Sequence, residues 1–477
     1  MRRVSFINTE PSEREYFDEY DNYNETSLWF FMIYILRTFV PFCLALQVGP
    51  FECQESVDLY IELIDRPSFN DSIFFPITCK DYSKMESFWP VQLKEAENKN
   101  CYRDYVALRM SIIKSIGFSS GSIIGGVLSD LFGRRIITFY SAIVWNISAW
   151  ILVFLTNRHF IEIWYILVVA SCSVVSVVTY VTFGEIASKR TRLLSAYTIP
   201  SYVVGDYLIR HLSKVLLVWK YLLIFIAATN SIMIFACWYT PESPRWLLNK
   251  NKKEQAYKQL SEISGLVYEL KRRDDAPENN ISMGYGKVFW KMLSFMVRRK
   301  LKCFLIICLS MSIASLHYTF AKTKAIIHYF DKVDPTSLAT AAEGIGYLFL
   351  LPIYIFLGKR CGLFFIFVMQ TCEALMAILL PDTKTYYNVF SMITGVAGLL
   401  LIWLYFLDLF PTFLRASAMS CSFCIFGVAT ACSTIVFSKV LDQFHFYIAF
   451  LVAGLLGTTV LMLPPAHNQD LSNLKLT

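Results

Sequence analysis

Stretches of about twenty predominantly apolar residues recur along most of this 477-residue chain, each long enough to cross the hydrocarbon of a bilayer. Hydrocarbon offers the backbone no hydrogen-bond partners, so every such stretch must be helical. Windows fall near 28–48, 105–128, 136–155, 161–182, 193–213 and 219–239, and again near 303–321, 337–357, 362–380, 385–406, 416–438 and 446–464. The predicted fold class is therefore an all-α membrane protein with twelve transmembrane helices in two six-helix pseudo-repeats. Composition agrees: 55% of residues are hydrophobic and 17% charged, against roughly a quarter charged in soluble domains.

The net charge of +7 does not form a nucleic-acid stripe, because the basic residues sit in short clusters between apolar runs. Positively charged loops are retained on the cytoplasmic side. Arg134 and Arg135, Lys189, Arg190 and Arg192, and Lys359 and Arg360 occupy loops of one parity, joined by Arg245, Lys250 and Arg298 of the central connection. Both termini are then expected in the cytoplasm of a multi-pass protein, with the plasma membrane as the expected location. The domain plan is a cytoplasmic N-terminal segment at 1–27, a six-helix half at 28–240 with a long extracellular loop at 49–104, and a cytoplasmic central loop at 241–302. A second half at 303–464 and a cytoplasmic tail at 465–477 follow. The first 27 residues lack the basic start and apolar core of a cleaved signal peptide, so the first span is expected to act as its own insertion signal. In the central loop Ala256, Leu260, Ile263, Val267 and Leu270 recur at helical spacing, which predicts short amphipathic helices.

The two halves resemble each other at three landmarks with nearly one offset. Glu185 and Asp408 stand 223 residues apart, Gly133-Arg134-Arg135 and Gly358-Lys359-Arg360 stand 225 apart, and Pro241 and Pro464 stand 223 apart. Agreement at three sites points to an internal duplication.

Gly126-Val-Leu-Ser-Asp130-Leu-Phe-Gly133-Arg134-Arg135 resembles the signature loop of the major facilitator superfamily, with Leu131 in place of a basic residue. A carboxylate at such a helix end can meet a facing helix N-terminus and a guanidinium, locking the halves together. Pro241-Glu242-Ser243-Pro244-Arg245-Trp246-Leu247 resembles a segment shared by sugar porters and the organic cation, anion and zwitterion transporters. The long first outer loop and the Asp408-to-Arg415 segment favour the organic ion transporters, of which this chain reads as a divergent member. The resemblance implies a cytoplasmic gate built from Asp130, Arg134, Arg135, Glu185, Arg192, Glu242, Arg245, Asp408 and Arg415.

Charges inside spans mark sites of transport function by default. Glu343 stands where the family carries an acidic residue in the eighth span. Lys114 either attracts an anion or pairs with Glu343 or Glu373, and Arg37 and Glu373 read as structural. Tyr180 and Tyr318 match tyrosines that line the family's central cavity, where aromatic rings suit organic solutes; Ser176, in the same span as Tyr180, joins the substrate-binding set. Gly427 falls where relatives carry a charge that separates cation from anion carriers. The fourth-span arginine of the superfamily is Tyr165 here, and its glycines are Val169, Ser173 and Val174. With only 20 glycines overall, close helix approach has fewer backbone sites.

The expected function is secondary or facilitated transport of small organic ions by alternating access, with a coupling or exchange ion as a further partner. The alternative is a transporter-fold binding or signalling protein with little turnover. Nothing in the sequence indicates an enzyme, and no phosphate loop, metal-ligand spacing or cofactor motif stands out. Asn70 in Asn70-Asp71-Ser72 is the expected glycosylation site, with Asn24 and Asn280 unmodified. Cys53, Cys79 and Cys101 share the oxidising outer loop, which predicts one disulfide plus a free thiol or an intermolecular link.

Overall fold

The computed structural model describes residues 32, 35, 36, 39, 99–155, 158–187, 200–215, 219–250, 252–264, 301–328, 335–380, 384–410, 412–438 and 451–463. Arg37, Asn70, Cys53, Cys79, Arg192 and the 265–300 stretch lie outside them, as does the side chain of Cys101. All regular structure among the described residues is helical. In chain order the helices are α1 (Lys99–Phe132), α2 (Arg134–Phe154), α3 (Arg158–Ile186), α4 (Pro200–Val215), α5 (Trp219–Tyr239), α6 (Pro244–Asn249) and α7 (Lys253–Ser264). The second half supplies α8 (Leu301–His328), α9 (Pro335–Leu379), α10 (Lys384–Leu409) and α11 (Arg415–Ser438). A short apolar helix, Leu451–Met462, ends in a 3₁₀ turn.

Eight of these helices are long and apolar enough to cross a membrane. Two expected spans are fused in α9, whose helical path is broken in its dihedral angles at Gly358. The helix α1 starts at Lys99, earlier than the apolar window at 105, because the polar Lys99–Asp104 turn continues the same helix. The helical spacing read in the central loop becomes α7, which buries Ala256, Leu260 and Ile263.

The helices α3 and α10 form the centre: their apolar windows are 83% buried, against 39–56% for the other crossing helices. A continuous apolar core joins Tyr165, Val169, Val177 and Tyr180 of α3 to Leu400, Trp403, Phe406 and Leu407 of α10. The halves meet where α1 packs on α11 and α4 on α9. Lipid-facing positions of the other helices stay apolar and exposed, as at Ile147, Phe235 and Phe356, which suits a lipid rather than aqueous surround.

The shortage of glycine in α3 is met from the facing helix. A Cβ on Gly121 of α1 would stand 2.5 Å from the Ala170 Cα, and one on Gly125 would stand 2.7 Å from a Val174 methyl. The close approach of α1 to α3 between Ala170 and Val174 is thus allowed by α1 glycines spaced one turn apart.

Candidate functional site

The duplicated loops begin on glycines that their conformations require. Gly133 has φ 117° and Gly358 φ 71°, a region costly to residues with a Cβ. At the first loop the turn lets Arg134 start α2 with its side chain directed back under the ends of α1 and α3. Its guanidinium is fully buried. Nη2 donates to Asp130 Oδ1 at 2.8 Å and Glu185 Oε1 at 3.1 Å, Nε donates to Glu185 Oε2 at 3.2 Å, and Nη1 donates to the Ser129 carbonyl at 3.1 Å.

Contacts from the second half close on this cluster. The Arg415 Nη1 donates to Glu185 Oε1 at 3.1 Å, and Arg134 Nη2 donates to the Thr412 carbonyl at 2.8 Å. Ser417, in the first turn of α11, donates both its backbone N–H (2.8 Å) and its hydroxyl (2.7 Å) to Asp130 Oδ2. Asp130 therefore caps the N-terminus of α11 across the seam, where helix dipole and orphan N–H groups favour a carboxylate. Two guanidinium groups face two carboxylates in a sealed layer, so the charges balance; removing one would leave a buried charge uncompensated.

The Pro241–Leu247 string clamps the same end of the first half. Ser243 caps α6, its Oγ accepting from the Trp246 N–H at 3.3 Å, and Pro244 occupies the first turn, where its missing N–H costs nothing. Trp246 Nε1 donates to the Asp130 carbonyl at 3.1 Å and Arg245 Nε donates to the Glu185 carbonyl at 2.9 Å. The Arg134 guanidinium lies 5.7 Å from the Trp246 ring centroid. Glu242 accepts three backbone N–H bonds, from Arg134 at 2.9 Å, Ser243 at 3.0 Å and Arg135 at 3.2 Å. Burial pushes its carboxyl above the usual range, opposed by the Arg134 charge and these N–H groups. Burial likewise lowers Lys250, with Arg134 adding to the effect.

Arg135 and Asp408, also expected in the gate, make further contacts. Arg135 is exposed, and its guanidinium donates to the Trp238 carbonyl at 3.1 Å, so it belongs to the rim. Asp408 pairs with Lys359 of its own half. A one-residue step along α2 turns a side chain by 100°, which is why Arg134 and its neighbour Arg135 part company.

Midway along the bundle, aromatic side chains from both halves meet. Trp403 stacks on Phe423 at 4.9 Å between centroids, and Tyr180 stands edge-on to Trp403 at 6.3 Å. Phe118 stacks on Phe423 at 5.9 Å, and Tyr318 on Phe426 at 6.4 Å. Tyr318 also donates to Glu343 Oε1 at 2.6 Å, uniting two of the expected substrate residues. The buried Ser176 and Thr179 hydroxyls and Trp403 Nε1 have no hydrogen-bond partner here. Lys114 is partly exposed on α1, next to Ser115, whose hydroxyl bonds Thr430 at 3.1 Å. Glu373 bonds Ser391 and Thr394 and not Lys114. Gly427 sits at the α1–α11 crossing, where an added Cβ would lie 3.2 Å from Phe118; the position expected to sort substrate charge instead lets the halves approach. Sequence reading missed Trp403, Phe423, Phe426 and Phe118. The spacing of Phe423 and Phe426 one helical turn apart was their only signal, and any packed helix can show it.

A twofold-repeated helical bundle with a charged seam at one end and mixed aromatic and polar groups at its middle defines a membrane transporter of the major facilitator type. Solved structures share the fold. The bacterial proton:xylose symporter XylE aligns with TM-score 0.61 over 91% of this chain and 94% of its own at 16% identity. The human organic anion transporter MFSD10 aligns at 0.54 over 94% and 100%, at 13% identity. The family model for the sugar (and other) transporters matches residues 81–464, and the chain belongs to that family, whose members move small organic solutes across membranes. Its sequence is similar to the organic cation transporter-like protein of Drosophila melanogaster, 24% identical over 83% of this chain and 74% of that one. It is also similar to organic anion transporter 3 of Mus musculus, 24% identical over 64% of this chain and 60% of that one.

Proposed function

We propose that this chain carries small organic ions by alternating access, with the Asp130–Arg134–Glu185–Arg415 network closing the cytoplasmic end and the aromatic cluster forming the solute site. The observation that carries the reading is the seam itself: contacts made by two halves at one end, behind which aromatic rings of both halves converge. Such a closure is separable, because its described cross-seam hydrogen bonds run from the end of α1, the start of α2 and the end of α3 to the short 412–417 turn. The relatives' printed names and the positive-inside distribution support organic ions and this orientation. Stacking and cation–π contact give the rings affinity for planar organic groups, and Glu343 and Lys114 offer charges of both signs nearby.

Uptake of radiolabelled organic cations, anions and zwitterions by cells displaying the protein tests the proposal. Saturable uptake of at least one class, reduced at least tenfold by Trp403→Ala with surface protein unchanged, is expected. Saturable binding without accumulation would favour the binding-protein alternative.

A further inference from the structure

A second polar site lies inside the C-terminal half, away from the seam. Glu373 is in the membrane-crossing part of α9, six residues from its end at Leu379, or about 9 Å of helix. Its Oε2 accepts from the Ser391 hydroxyl at 3.3 Å and the Thr394 hydroxyl at 3.2 Å, both on α10. Its Oε1 is sealed and has no hydrogen-bond partner. No lysine, arginine or histidine among the described residues forms an ion pair with it. One turn earlier on the same face is Gln370, 1% exposed, with neither amide atom hydrogen-bonded; a Cβ on Gly398 would lie 4.0 Å from its Nε2, which places the amide against α10 one turn beyond Thr394.

Titratable groups meet the same stretch of α10. His317 of α8 is 1% exposed, lies 3.5 Å by Nε2 from the Tyr387 hydroxyl and hydrogen-bonds the Ser391 backbone, so Ser391 links it to Glu373. From α9 itself Cys372 is exposed, and the closing helix presents Gly454 to Thr371. Among the described residues the layer is thus the Glu373 carboxyl, the His317 imidazole and the Tyr387 phenol, with the Ser391 and Thr394 hydroxyls on the carboxyl.

An acidic side chain within a span is expensive unless its charge is met, and such residues commonly serve ion or proton pathways. Two hydroxyl donors satisfy one oxygen, leaving the other oxygen and a full unit of charge. We propose that Glu373 is a reversible proton-binding site, with His317 joined to it through Ser391, and that its protonation is coupled to the transport cycle. The step balances simply: the Glu373 carboxylate takes a proton from water on one side, forming an O–H bond, and returns it to water on the other. α10 carries both the proton site at Ser391 and Thr394 and the aromatic residue Trp403 three turns on, so a movement of α10 on solute binding changes both. This coupling rests on the transport reading, whereas proton binding does not.

Purified full-length protein in lipid, followed by infrared difference spectroscopy across a pH step, tests the site directly. The carbonyl band of a protonated carboxyl is expected, absent from Glu373→Gln and displaced in the conservative Glu373→Asp. An unchanged band in both variants overturns the proposal. Uptake with and without a gradient of one pH unit tests coupling: accumulation rising up to about tenfold, for one proton per cycle, and flattened in Glu373→Gln, is expected. Gradient-insensitive uptake overturns coupling. If no solute is taken up while the Glu373 band is present, the transport reading fails and the proton site stands.

Discussion

The two duplicated loops begin alike and end differently. Each starts on a glycine with positive φ, and each places a basic residue beside the carboxylate at the end of a central helix: Arg134 with Glu185, and Lys359 with Asp408. Arg134 is fully buried, however, while Lys359 and Asp408 keep side-chain exposures of 11% and 8%. The difference begins three residues earlier in each loop. Asp130 precedes Gly133 by three residues, whereas the matching residue before Gly358 is Ile355, which is 61% exposed. Without that carboxylate the second loop has nothing to hold out to a facing helix N-terminus. Among the described residues the duplication thus keeps a basic–acidic pair within each half, and the cross-seam lock is seen where Asp130, Arg134 and Glu185 meet the 412–417 turn.

Replacing Arg134 by Ala should therefore cost far more than replacing Lys359. Losing the buried guanidinium leaves Asp130 and Glu185 facing the single charge of Arg415, an effect of about 3–5 kcal/mol, whereas the Lys359–Asp408 pair keeps some contact with solvent, which softens its loss. Thermal unfolding in detergent, scored by monodisperse protein remaining, measures both; equal losses would break the comparison.

The spans and the two matching loops were legible in the sequence, whereas the difference between the loops was not. Apolar length forces helices whatever their neighbours, so spans could be read locally. The offset between Gly133 and Gly358 likewise identified the two loops as counterparts. Which partner each charge meets was not legible, because Ser417 and Thr412 carry no signature of their own and reach Asp130 and Arg134 only through the α1–α11 packing. The same holds for Trp403, whose place beside Tyr180 depends on how α3 crosses α10. Nor could the α3 sequence show that its missing glycines are supplied by Gly121 and Gly125 of α1.

The lock and the pair within the second half can be separated by accessibility. Asp130→Asn weakens the cap on α11 and the Arg134 pair together, and Arg415→Ala removes the other cross-seam contact. Each should shift the open-to-closed ratio by about 5- to 150-fold, or about 1–3 kcal/mol, seen as faster labelling of single cysteines near the seam ends of α1 and α11. Asp408→Asn, which removes the pair with Lys359 of the same half and leaves the Asp130 and Glu185 contacts in place, should leave that labelling near the parent rate. Parental labelling in Asp130→Asn and Arg415→Ala, with normal surface expression, would show that these charges anchor topology and do not gate.

The smallest contrast is between the glycines themselves. Both hold positive φ with ψ near 180°, a region almost confined to glycine, so Ala at either position should cost about 1–3 kcal/mol in backbone strain. Gly133 carries a second restriction: a Cβ there would stand 2.6 Å from Glu242 Oε2 and 3.2 Å from the Trp246 ring, whereas one on Gly358 meets nothing within 4 Å. Glu242 cannot give way freely, because its carboxylate holds the N–H groups that open α2. Gly133→Ala should therefore exceed Gly358→Ala by about 1 kcal/mol or more, the usual cost of overpacking. Shortening the obstacle separates the two effects: in a Glu242→Ala background the excess should vanish while the strain common to both glycines remains. Melting temperatures of the four variants measure this, and an excess that survives Glu242→Ala would place the restriction at Trp246 instead.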